Sequence, residues 1–161
     1  MAIDIFLKID GINGESKDSN HKEWIDVQDF TWGASQPATL TSGGGGGAGK
    51  VNFKDLKVTA AIDKAAPIIL KHSSIGRHIP KLEISVCKAG GEQVEYSRIT
   101  LEDVIVTGVE FAGSKTDEVL FVNYSFQAVK VKNQYWEQTE RGGRGPETQM
   151  AYDIKLNKAI G

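Results

Sequence analysis

The chain has 161 residues and a mass of 17.5 kDa, the size of one domain spanning residues 1–161. Apolar residues make up 40% and charged residues 25%, which excludes a collagen, a disordered tail and a disulfide-framework mini-protein. The net charge of −2 and the pI of about 5.9 lack the basic excess of a nucleic-acid binder.

The first strand is predicted at Ile3, Ile5, Leu7 and Ile9, which alternate with Asp4, Phe6, Lys8 and Asp10. Gly11 to Asn20 is rich in Gly, Ser, Asn and Asp and reads as a loop. Ile25 and Val27 share one parity, while Phe30 and Trp32 share the other. A bulge near Gln28 and Asp29 puts all four on one face and turns Thr31 away from the core. Residues 37–50 form a polar, glycine-rich loop, and Leu56, Val58, Ala60 and Ile62 then restore the alternation.

One helix is predicted. Asp63 caps it, Pro67 suits its first turn, and Ala65, Ile68, Ile69 and His72 fall at helical spacing up to a stop at Gly76. Strands follow at 81–88, 93–107, 109–113, 119–132 and 149–157. Ala89, Gly90 and Gly91 turn the first hairpin, and Gly142 to Pro146 reads as a loop. The stretch from Val119 to Val131 is apolar on both parities, as a strand covered on both faces or packed on a neighbouring subunit is. The fold class is mainly β: a two-sheet barrel or sandwich with one helix on its side.

Chemistry leaves few marks. Gly44 to Lys50 fits G-x-x-x-x-G-K, and Gly44, Gly46 and Gly49 fit G-x-G-x-x-G. Val51 supplies no hydroxyl for Mg²⁺, and a strand follows where a phosphate loop opens a helix. His21, His72 and His78 form no H-E-x-x-H, and one cysteine cannot build a usual zinc quartet or an intrachain disulfide. Cys87 reads as a small strand residue opposite in parity to Leu82, Ile84 and Val86. Gly14-Glu15-Ser16-Lys17-Asp18 and Gly33-Ala34-Ser35-Gln36-Pro37 both lack the closing glycine of a nucleophile elbow. The adjacent acids Glu102-Asp103 and Asp117-Glu118 point to opposite strand faces. No enzyme, cofactor or metal is expected. The N-terminus lacks the basic and apolar regions of a signal peptide, and no run is long enough to span a membrane.

Charge is uneven along the chain. Residues 1–49 carry 3 Lys/Arg and 7 Asp/Glu, and residues 50–98 carry 9 and 5. Blocks of −4 and +4 suit head-to-tail pairing between copies, or simply a solvated surface.

The opening from Asp4 to Asp18 resembles the Hcp family, the tube protein of type VI secretion. So do Glu23 to Gly33, the glycine run through Lys50, Asp63-Lys64, Lys88 to Tyr96, and Ile99 to Val104. The resemblance covers nearly the whole chain, and Asn133 to Pro146 departs from it. It implies a homohexameric ring with a central channel. Rings stack, phage-tail-like, into a tube inside a contractile sheath, capped by spike and baseplate proteins and holding effector proteins in the lumen. It implies a cytoplasmic subunit that is secreted by firing, and an end at Gly161 that suits a plain tube subunit. Thr31 is the candidate lumen contact. The loops carrying Gly43, Gly44, Gly45, Gly46, Gly47, Gly49 and Lys50, and Gly90 and Gly91, are candidate ring or stacking contacts. Because glycine loops lose entropy on ordering, rings are expected to form in solution without long tubes. A hydrolase on a β-barrel and a monomeric small-ligand-binding barrel are the alternatives. The first needs a convergent side-chain cluster, and the second a pocket within the barrel.

Overall fold

The computed structural model describes residues 2–37, 50–89 and 93–160. Ten strands and one helix follow in chain order among the described residues. They are β1 (Ile3–Ile9), β2 (Ile25–Thr31), β3 (Ala34–Ser35), β4 (Asn52–Phe53), β5 (Leu56–Ala61), α1 (Ala65–Ile75), β6 (Ile79–Lys88), β7 (Val94–Ala112), β8 (Phe121–Gln138), β9 (Arg144–Asp153) and β10 (Lys158–Ala159).

The hydrogen-bonded order β8-β5-β2-β1-β6-β7 returns to β8, so six antiparallel strands close into a barrel. Strands β9 and β10 extend the sheet beyond β8, and β3 pairs with β4 in a second small sheet. Alternation decides what goes inside. Leu56, Val58 and Ala60 on β5 and Val122, Tyr124 and Phe126 on β8 are buried, while their odd-parity neighbours Lys57, Asn123 and Gln127 are exposed. Leu7, Ile9, Ile25, Leu82, Ile84 and Leu101 complete the interior. It is filled by side chains, as small barrels are. A ligand-binding barrel of the kind weighed above needs a pocket in that space, which these side chains occupy.

Helix α1 forms where the sequence predicts it, but Ile68, expected on its buried face, is exposed. Asp63 Oδ1 accepts the Ala65 N–H at 3.0 Å, the buried stripe is Ala65, Ala66 and Ile69, and Gly76 ends the helix at φ +65°.

The β2 bulge is present: the register against β5 shifts between Val27 and Asp29, and Val27, Phe30 and Trp32 all pack on the core. Other expectations need correction. The predicted break at Gly108 is a bulge within one strand, because β8 pairs with both flanks, at Val106 and at Gly108. Strand β8 starts at Phe121 and runs to Gln138, since β9 holds its polar second half. Val119 and Leu120 lie before it and are exposed, so the apolar run is not one two-faced strand. The strand buried on both faces is β6, where Leu82, Ile84 and Val86 face the core and Glu83, Ser85 and Cys87 are covered from outside. Arg144 to Pro146 belong to β9, which ends at Asp153 rather than 157, and the turn before it closes on Gly142 at φ +81°. The predicted strand from Val51 is interrupted at Lys54 and Asp55, where Asp55 leaves the ladder to accept hydrogen bonds from Thr107 and Gln127.

Candidate functional site

Four neighbouring strands present one polar outer face: β2, β5, the first half of β8 and the last half of β7. Register aligns their side chains in transverse rows. One row runs Asp29, Thr59, Asn123, Glu110, and the next runs Thr31, Lys57, Ser125, Gly108. Thr59 Oγ1 donates to Asn123 Oδ1 at 2.6 Å within the first row. At Gly108 an added Cβ would come within 2.7 Å of Ser125 Oγ, so glycine keeps the second row flat. Asp55 closes one end, accepting from Thr107 Oγ1 at 2.7 Å and from Gln127 Nε2 at 3.1 Å, which fixes the β7 bulge to the β4–β5 link.

This wall is bounded by two open edges. Asp29 to Thr31 pair with β5 on one side and, among the described residues, with no strand on the other. Among the described residues, Ile105 to Ala112 pair with β8 alone, because β6 leaves β7 at Val104. At one end of the wall Ile62, Phe111, Val119 and Leu120 form an exposed apolar rim, with the Ile62 N–H donating to the Leu120 carbonyl. At the other end the Trp32 ring stacks on Phe53, and Tyr152 meets Phe53 at a tilt.

Thr31 is exposed on this polar face, on the side its parity predicts. Lys50 is exposed. Gly43, Gly44, Gly45, Gly46, Gly47, Gly49, Gly90 and Gly91 lie outside the described residues. Strands β6 and β7 do pair antiparallel up to Lys88 and Val94, as a hairpin there requires.

Sequence reading missed one constellation, on the opposite side of the barrel. The segment from Gly14 to Trp24 folds over β1, β6 and β7, held by its own backbone bonds. His21, 5% exposed, stacks on Phe6 and meets the Trp24 ring edge-on. Its Nδ1 lies 2.8 Å from Asp18 Oδ2, and its Nε2 lies 3.2 Å from Ser85 Oγ. Asp, His and Ser in this order resemble a hydrolytic triad, but the chemistry is absent. Ser85 is 0% exposed, and its hydroxyl donates to Glu95 Oε2 at 2.5 Å rather than to the imidazole. Glu95 also accepts from Arg98 Nε at 2.8 Å. Burial pushes the Cys87 thiol up, against a nucleophilic role. Asp18 titrates below the usual carboxylate range: its partial burial works the other way, but hydrogen bonds from His21 and the Asn20 N–H prevail. Burial raises Asp26 and Asp63, and neighbouring carboxylates add to both.

A small closed barrel with a lateral helix is the fold of solved type VI secretion proteins. One such protein superposes with a TM-score of 0.93 at 28% identity, covering 99% of this chain and all of the other. Hcp1 from Salmonella typhimurium matches with a TM-score of 0.83 at 36% identity, over 99% of this chain and all of its own. The sequence is 42% identical to protein hcp1 of Pseudomonas aeruginosa over 159 residues, 98% of each chain. Residues 6–135 match the family described as type VI secretion system effector, Hcp. The chain belongs to the Hcp family of type VI secretion.

Proposed function

We propose that this protein is the repeating subunit of a secreted tube, in which copies close into a six-membered ring with the polar wall facing the channel. The observation that carries this reading is the wall itself: four strands, polar outward, ending in two unpaired edges. Unpaired edges in a soluble monomer invite uncontrolled pairing. Joining β2 of one copy to β7 of the next satisfies both, and a closed heterologous ring stops growth. Six copies then contribute twenty-four strands, roughly 115 Å around and about 37 Å across when the strands run along the axis, and wider when they tilt. That leaves room for folded cargo. Stacked rings form the tube within a sheath and below a spike, and effectors ride inside against Thr31 and its row.

The test is light scattering on a size-exclusion peak, with negative-stain images of the same fraction. The expected result is a mass near six times 17.5 kDa with annular particles. A monomer at micromolar concentration refutes the ring.

A further inference from the structure

The two unpaired segments that bound the polar wall carry charge of one sign. Asp29 to Thr31 on β2 holds Asp29, Ile105 to Ala112 on β7 holds Glu110, and neither holds a lysine or an arginine. Both acids are exposed residues of the wall, in one transverse row. Among the described residues neither takes part in an ion pair. Lys57 is the one cation of the wall among those residues; it lies on β5, one strand in from the edge, in the row of Thr31.

We infer, resting on the ring proposed above, that each junction sets Glu110 of one copy beside Asp29 of the next, so that ring closure works against like charge and is governed by ionic strength. The registers open to the junction are few. Strands β2, β5, β8 and β7 alternate in direction, so β7 of one copy meets β2 of the next antiparallel. A slip of one residue would turn one wall face inward, so only slips that keep both polar faces together are open. Three placements then hold all of Asp29 to Thr31 against Ile105 to Ala112. Asp29 faces Ala112, or Glu110, or the bulge at Thr107 and Gly108.

The outcome is the same in all three. In the second placement the carboxylates stand directly opposite, and in the other two they are diagonal neighbours. Opposed residues have Cβ atoms about 5 Å apart, and diagonal ones about 7–8 Å. Both spacings fall within the Debye length of about 8 Å at physiological salt. The basic block of the sequence, residues 50–98, ends before this edge of β7 begins. The two charge blocks therefore do not meet through these strands, and the backbone ladder and the packing beside it must hold the junction against the repulsion. Added salt screens the pair and tightens the ring.

The experiment measures the protomer concentration at which rings half dissociate, by analytical ultracentrifugation of labelled protein over a dilution series, at low and at high salt. It compares the wild type with Asp29→Asn, Glu110→Gln and the double variant. A like-charge cross-strand pair is worth about a 1.5- to 5-fold change in one contact, and six such contacts close a ring, so each single variant should lower the midpoint at low salt about two- to sevenfold. The double variant should gain no more than either single one, since either substitution removes the pair. Salt should lower the wild-type midpoint and leave that of the double variant in place. Rings whose midpoint neither substitution moves overturn this inference and leave the ring reading standing, and so do gains that add, because the two carboxylates then act apart. Monomers at every concentration in all four proteins refute the ring and the inference with it.

Discussion

Tyr124 offers the cleanest test of the interior. It is 1% exposed, it lies beside Phe126 near the start of β8, and its hydroxyl has no hydrogen-bond partner among the described residues. Burial pushes the phenol's titration well up, and the Asp63 carboxylate adds to this. A buried hydroxyl without a partner costs about 1–3 kcal/mol in desolvation. Tyr124→Phe removes that oxygen and leaves the ring packed as before. The variant should gain about 1–2 kcal/mol, which for a chain of this length is a rise of about 2–8 °C in Tm. The assay is thermal and urea unfolding of both proteins at equal protomer concentration, since assembly shifts apparent stability by mass action. A loss of stability would refute the reasoning, because it would mean that the hydroxyl is satisfied and that the barrel interior is not dry at Asp63.

Asp63→Asn keeps an acceptor for the Ala65 N–H and removes a carboxylate whose titration is raised by burial. A raised acid takes up a proton in the folded state first, so native stability falls as pH rises between its unfolded and folded values. The variant should flatten that part of the pH–stability curve and lose little at pH 7; an unchanged curve counts against the assignment. Gly14→Ala should cost about 1–3 kcal/mol by overpacking, because its Cβ would lie 2.6 Å from the Trp24 carbonyl oxygen and 2.7 Å from Ile25 Cγ1; a neutral effect on urea unfolding refutes this. Thr31→Gln should leave ring mass unchanged and reduce co-purification of an effector with the ring, and full retention removes Thr31 from cargo contact. Dilute protein at physiological salt should show rings rather than extended tubes in negative stain.

What the sequence makes legible is what a single strand encodes. The parity of β1 and β5 reads directly, because each has one face in the core. The orientation of Thr31 follows from the bulge, since two apolar pairs of opposite parity reconcile in no other way. Strand β8 beyond Asn133 is not legible. Its side chains are mostly polar, and its order comes from ladders on both sides and from Trp136, buried beneath the Arg144 guanidinium at 3.6 Å. The His21 cluster joins residues 64 apart in sequence, which no local pattern links. One signal was present: Phe6 sits on the polar parity of β1, directly across from Ser85. An aromatic residue on an outward face implies that something covers that face, and the cover is the His21 segment.

The wall shows a different limit. Its rows are a property of register between four strands, not of any one of them, and its open edges are a property of which strands stop early. Strand β6 ends its partnership at Val104 while β7 continues to Ala112. A monomer would be expected to guard such an edge with proline or an inward charge. Between Ile105 and Ala112 there is no proline, and Glu110 points to the wall rather than along the edge. The bulge at Thr107 is tied to Asp55 by the hydrogen bond from its hydroxyl. An edge without proline or an inward charge is suited to a partner strand. In the ring proposed above, the unpaired side of Asp29–Thr31 on the next copy would supply one of matching polarity, so the feature that would endanger a free monomer would close that ring.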